Sequence, residues 1–341
     1  MRAWILDGGF GYEQLRMVER DEPPLSPDEV RIQVKACSLN YRDVLTVVGV
    51  YNPRLKLPLV PLSDGAGVVV EVGSAVQRFR VGDRVMGCFF LDWLTGEPPR
   101  DLDILKRTLG GPLDGMLAER VVLPERAVVA TPAHLDDRQA STLPCAALTA
   151  WSALFREGHL SPGQVLVVQG TGGVSIAALQ FGRLAGARVI VTSSSDAKLE
   201  RARALGAHET INYRNTPEWS KEVRRLTGGV GADQVIEVGG AGTMPQSLRA
   251  VRPGGTISVI GVLAGAAGEL ALTPVLMQNL KLQGILVGPR EHFEAMNRAI
   301  TLHQVMPVVD RSYPFTEAPT ALKALGDGHH FGKLVIDVSE A

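Results

Sequence analysis

The chain has 341 residues, 45% of them hydrophobic and 21% charged, with a formal net charge of -1. That length allows two domains and a large core, and the near-neutral balance argues against nucleic acid or an anionic membrane as the main partner. No apolar run approaches the roughly 18 residues of a membrane span, "MRAWILDGGF" turns polar too early for a signal peptide, and three scattered cysteines (Cys37, Cys88, Cys145) make no disulfide framework, so a reducing cytoplasm is expected.

Residues 1–130 read as short strands joined by turns. "EVRIQVKAC" (29–37) begins in the polar/apolar alternation of a half-buried strand, "GAGVVVEVG" (65–73) is a β-branched run between glycines, and "VGDRVMGCF" (81–89) and "GMLAERVVL" (115–123) add two more. The pattern changes near residue 135. "DDRQASTLPCAALTAWSALF" (136–155) is helical in composition, with Pro144 as a break or kink. Strand-helix units follow: "QVLVVQG" (164–170), "RVIVTS" (188–193), "ETINYR" (209–214), "DQVIEVGG" (233–240), "TISVIGV" (256–262) and "LKLQGILVG" (280–288) are six strands with helical segments between them. Apolar strands alternating with helices predict an α/β fold with a six-stranded, doubly wound parallel sheet over 131–289. A mostly-β module is expected over 1–130 and 290–341. It includes a helix at 290–304 and a strand, "FGKLVIDV" (331–338), that returns to the first module.

One turn carries a ligand signature. "VLVVQGTGGVSIAALQFGRLAG" places Gly170, Thr171, Gly172, Gly173 and Val174 between an apolar strand and a helix, with Ser175 where a third glycine would stand. Gly170 suits a tight turn, and Gly172 and Gly173 let backbone approach a pyrophosphate at a helix N-terminus. The next strand ends "VTSSSDAK". Ser193, Ser194 and Ser195 stand where an NAD site usually has an acid, and Lys198 follows in the first helical turn. Hydroxyls can donate to a 2′-phosphate that an acid would repel, so NADPH is expected ahead of NAD(H). Asp196 is the competing acid and also reads as a helix N-terminal residue.

At this point the chain resembles the medium-chain dehydrogenase/reductase superfamily. The stretches that carry the resemblance are "KACSLNYRD", "PLVPLSDGAGVVVEVG", "VGDRV", "DGMLAERVVLP", "CAALTAW", "VQGTGGVSIAALQFGRLAGA", "KLERARALGA" and "VRPGGTISVIG". The resemblance implies a GroES-like catalytic domain, a Rossmann domain, a reaction between them and a dimer or tetramer. Zinc-containing members have cysteine, histidine, an acid and cysteine where this chain has Asn40, Ser63, Asp64 and Cys145. Only the last two match, and the first histidine is His134, so no metal site is expected.

What remains is closest to the quinone oxidoreductase-like branch. That resemblance implies hydride transfer from NADPH to a quinone, enone or related α,β-unsaturated carbonyl. Asn40, Tyr41 and Arg42 would be the catalytic residues, and Lys198 and Tyr213 would hold the 2′-phosphate. Gly261 and Lys333 are further candidate cofactor residues. A simple-alcohol dehydrogenase and a non-catalytic NADPH-binding sensor are the two other readings. Phe89, Phe90 and Trp93 are candidates for a pocket wall or a local apolar cluster, and His329-His330 for a solvated loop. The β-branched sheet edge at 280–288 is expected to pair with its copy in a homodimer.

Overall fold

The computed structural model describes residues 1–338, which divide into two compact units. One is Met1–Leu148 with the segment from Gly288 onward; the other is Thr149–Val287.

The first unit opens with strands β1 (Arg2–Leu6) and β2 (Leu15–Glu19), an antiparallel pair. Strand β3 (Glu29–Ser38) runs into helix α1 (Tyr41–Val47), followed by β4 (Asp64–Val72), β5 (Arg84–Gly87), β6 (Arg120–Pro124), β7 (Val128–Ala130) and helix α2 (Asp137–Ser141). Alternation along β3 buries Val30, Ile32 and Val34 completely, which commits one face to the core. Its antiparallel register with β4 sets Cys37 opposite Gly65 and Ser38 opposite Asp64.

This unit extends past the expected boundary at 130, because α2 packs on β3 and β4 of the same unit. The helical run is interrupted beside Pro144, as expected: α2 ends at Ser141 and Thr142 is a turn. The backbone widens into π turns at Leu143–Ala147 and Ser152–Glu157, on either side of α3 (Leu148–Trp151). The proline sits in the first turn of the π segment, where a missing N–H costs no helical bond.

The second unit follows the predicted alternation: β8 (Val165–Gln169), α4 (Gly173–Leu184), β9 (Arg188–Ser193), α5 (Asp196–Ala204), β10 (Glu209–Asn212), α6 (Trp219–Leu226), β11 (Ala232–Glu237), α7 (Met244–Ala250), β12 (Val251–Val259), α8 (Leu272–Met277) and β13 (Lys281–Gly284). All six strands are parallel, in the order β10-β9-β8-β11-β12-β13. Val167, Ile190, Val235 and Ile257 are fully buried on these strands, as a sheet covered on both faces requires. The order reverses between β8 and β11, the crevice where such sheets take their ligands. The last strand is shorter than predicted and ends at Gly284; Val287 beyond it is in the left-handed region, at φ 47°.

The chain then rejoins the first unit through α9 (Arg290–His303), β14 (Val309–Pro314), α10 (Ala318–Gly326) and β15 (Lys333–Asp337). As the sequence suggests, β15 pairs antiparallel with β3, Val335 opposite Ser38. Among the described residues no helix is long and apolar enough to cross a membrane.

Candidate functional site

In the second unit, β8 delivers Gly170 at φ +70°, a left-handed turn that strains any side chain, and Gly172 caps α4 without a side-chain hydrogen bond. The first amides of α4 therefore have no side-chain partner at the cap, the arrangement that suits a phosphate. Thr171 is buried and Val174 half-buried. Ser175 fits the third-glycine position because its hydroxyl donates to the Gln169 carbonyl at 2.7 Å. The close helix-strand approach occurs two turns further along the same face of α4: a Cβ at Gly182 would lie 2.6 Å from Leu166. Gly261 is a second close approach, 2.5 Å from the Val238 carbonyl oxygen for a Cβ placed there.

Beside this turn lies a group that the sequence reading missed. The carboxylate of Glu237, at the end of β11, is fully buried and accepts five hydrogen bonds. Gly239 N (2.8 Å), Gly240 N (3.0 Å) and Thr243 Oγ1 (2.6 Å) meet one oxygen; Gln169 Nε2 (2.7 Å) and Ser247 Oγ (2.5 Å) meet the other. This knot joins the C-terminal ends of β8 and β11 at the switch point. An acid at the end of "DQVIEVGG", directly after the apolar Val235 and Ile236, was its only signal.

The serines at the end of β9 are not equivalent. Ser193 is buried, with its carbonyl accepting from Tyr213 N at 3.1 Å. Ser194 is half-buried, and Ser195 is the N-cap of α5, its hydroxyl facing Lys198 N at 3.4 Å. Tyr213 is exposed and Lys198 half-buried.

In the first unit a polar cluster is buried under β3, β4 and β15. Asp64 accepts from Ser63 Oγ (2.7 Å), Ser38 Oγ (3.2 Å) and the backbone N–H of Cys145 (3.3 Å). Ser63 Oγ in turn faces Asn40 Nδ2 at 3.4 Å. Asn40 Oδ1 accepts from Lys333 Nζ at 2.5 Å, and Nζ also donates to the Leu39 carbonyl at 2.5 Å. Lys333, expected at the cofactor, is thus 6% exposed inside this cluster. Burial lowers its pKa from the usual lysine value, opposed by Asp64, Cys145 and Asp43. Burial, with Asp64 next, raises the Cys145 thiol well above its ordinary range.

The remaining predicted residues separate. Tyr41 opens α1 and is 39% exposed. Arg42 is turned inward: its guanidinium donates to the carbonyls of Leu109, Gly110 and Gly111, each at 3.0 Å, and pairs with Asp43 at 3.2 Å. Those bonds hold the 109–111 loop, so the guanidinium of Arg42, expected among the catalytic residues, is engaged by three backbone carbonyls and Asp43. Leu62, just before Ser63, is buried with φ 69°, a strained backbone held by Met116 N donating to its carbonyl at 2.8 Å. Phe89, Phe90 and Trp93 are buried and stack edge to face.

A parallel sheet with a glycine turn at its switch point, and a β unit with a buried polar cluster, define a nucleotide-dependent oxidoreductase fold. A family model for the alcohol dehydrogenase GroES-like domain matches residues 26–133, and one for zinc-binding dehydrogenases matches 173–301. A zinc-type alcohol dehydrogenase-like protein of Schizosaccharomyces pombe is 43% identical, over 99% of this chain and 99% of its own. A crystal structure of an NAD-dependent alcohol dehydrogenase has a TM-score of 0.92 at 36% identity, covering 99% of this chain and 100% of that one. The 2-octenoyl-CoA carboxylase reductase CinF, in complex with NADP and 2-octenoyl-CoA, has a TM-score of 0.86 at 26% identity, covering 98% and 87%. The chain belongs to the medium-chain dehydrogenase/reductase superfamily and is an NAD(P)H-dependent oxidoreductase. Quinone oxidoreductase-like proteins are among its relatives.

Proposed function

We propose that the protein is a zinc-independent reductase that uses NADPH to reduce quinones, enones or related α,β-unsaturated carbonyl compounds. The observation that carries this reading is the donor set around Asp64. Zinc needs three or four Cys, His or carboxylate ligands. Here an amide (Asn40) and a hydroxyl (Ser63) stand beside Asp64, whose oxygens already accept three hydrogen bonds, and the Cys145 thiol is held against ionisation. No group of three or more His, Cys, Asp or Glu side chains converges among the described residues. These residues do not fit the metal that the zinc-binding family model implies, and no step is routed through one.

The second unit fits the nucleotide. The first amides of α4 would take the pyrophosphate, and Ser193, Ser194, Lys198 and Tyr213 the 2′-phosphate; NADPH, when bound, supplies a hydride. Hydride addition at the substrate β-carbon moves an electron pair onto the carbonyl oxygen, and a proton from solvent then completes the α-carbon. The chain must stabilise that oxyanion with hydrogen-bond donors. Asn40 Nδ2 is the donor this reading assigns, with Tyr41 as a second. Removing such a donor typically costs about 100-fold in rate. Three free thiols fit a cytoplasmic setting, and the open edge at β13 fits a homodimer.

A second reading, an NAD-dependent alcohol dehydrogenase, is favoured by the 36% identical structure of that description. A panel of quinones, enones, aldehydes and alcohols, read at the reduced-nicotinamide absorbance with NADPH and NADH, with and without EDTA, decides between them. EDTA-resistant enone or quinone reduction preferring NADPH is expected; alcohol oxidation abolished by EDTA overturns the reading.

A further inference from the structure

We propose that Lys333 is the fixed cation of the Asn40–Asp64 cluster and orients Asn40 as a donor. The inference rests on the reductase reading for its kinetics, but not for its geometry.

An ammonium has three donors and no acceptor, so the group facing Nζ on Asn40 must be the carbonyl oxygen. With Oδ1 fixed on Nζ at 2.5 Å, the amide cannot turn over, and Nδ2 is the end left to donate. One Nδ2 hydrogen lies toward Ser63 Oγ at 3.4 Å, which leaves the other for an entering acceptor. The Leu39 carbonyl, also at 2.5 Å, holds Nζ from the adjoining backbone.

Charge supports the same assignment. Asp43 and Asp64 are fully buried and bring two carboxylates into the cluster; Arg42 pairs with Asp43, so Lys333 is the cation left for Asp64. Two carboxylates and two cations balance without a metal ion. A divalent ion added here would meet a resident ammonium and a carboxylate whose oxygens already accept three hydrogen bonds.

Lys333 is therefore a positioning residue, acting through Asn40. The test compares wild type with Lys333→Met and Lys333→Arg, after thermal melts confirm folding. Lys333→Met should lose about 100-fold in kcat for an enone with little change in NADPH affinity, measured by nucleotide fluorescence, and Lys333→Arg should recover part of it. Wild type titrated with Co(II) should show no thiolate-to-metal absorption band. Unchanged kcat in Lys333→Met, loss of NADPH affinity instead of kcat, or stoichiometric Co(II) uptake by wild type overturns the proposal. If wild type reduces nothing in the panel, the reductase reading fails alone. The affinity and cobalt arms then decide: unchanged affinity with no cobalt band supports the fixed cation, and either opposite result overturns it.

Discussion

Asn212 donates its side-chain amide to the carboxylate of Asp196 at 2.7 Å, tying the end of β10 to the first turn of α5. Asp196 is the acid nearest to where an NAD ribose diol would be recognised, and Asn212 already occupies one of its oxygens. The other polar groups at the β9–α5 turn are Ser193, Ser194, Ser195 and Lys198. An acid at the end of β9 should repel a 2′-phosphate of roughly two negative charges and accept from a ribose diol. Ser194→Asp should thus lower the NADPH:NADH ratio of kcat/KM by about tenfold or more. Ser193→Asp should move it the same way, at some cost in stability because Ser193 is buried. Lys198→Ala should weaken NADPH about tenfold. An unchanged ratio in all three variants would mean that the serines only end a strand and cap a helix.

Glu237→Gln tests the knot at the switch point. The two backbone N–H groups on one oxygen cannot turn away, so the new NH₂ must face Gln169 Nε2 and Ser247. Donor then meets donor in a buried site. Unfolding free energy from urea titration should fall by about 3 kcal/mol, and dinucleotide affinity should fall with it. A loss below about 0.5 kcal/mol would show that the amide is accommodated without breaking the network.

Asp43 gives a pH signature. Burial is the largest influence on it. With Asp64 adding and Arg42, the Asn40 N–H and Lys333 opposing, its pKa rises from 3.8 to about 6. Between about pH 4 and pH 6 the folded chain therefore keeps a proton that the unfolded chain has lost. Stability contributed by this group is complete below pH 4, declines as pH rises through 6, and is gone above it, about 3 kcal/mol across the window. Asp43→Asn lacks this dependence. Wild type should lose ground to the variant as urea midpoints are compared at pH 4.5 and 7.5; parallel behaviour at the two pH values would place the Asp43 pKa near its ordinary value.

The helix that leads into the open edge strand β13 (Lys281–Gly284) exposes apolar side chains. Beside β13, Leu272, Leu276 and Met277 are 67%, 79% and 76% exposed. An uncovered edge with such neighbours is an association surface. Light scattering at micromolar concentration should give a dimer for wild type and a monomer for Leu276→Lys combined with Met277→Lys. A monomeric wild type would remove the pairing proposal.

The parallel sheet was legible because its strands are buried on both faces and so read as apolar runs. Gly170 was legible because a turn at φ +70° selects glycine. The polar cluster was legible only in part. "SLNYRD" and "LSDG" mark Asn40, Ser63 and Asp64, but no local pattern links Asn40 to Lys333, 293 residues away. Arg42 read as a catalytic candidate for the same reason: its three carbonyl partners lie in a loop 67 to 69 residues on. Gly182 hid inside a regular helix, where its need for space shows only once Leu166 is opposite it. Contacts set by tertiary pairing leave no periodic trace in sequence.

Strand β15 completes a sheet whose other members, apart from β14, precede the whole dinucleotide unit in the chain. On a ribosome the two events are ordered. The second unit is continuous in sequence and is free to fold as soon as it emerges, whereas β3 waits for β15. Lys333 opens that strand, so Asn40 and Asp64 acquire their ammonium only after the nucleotide fold has been made. Under the proposal made for Lys333, a nascent chain caught before that point lacks the ammonium that fixes Asn40, whatever its second unit has already built.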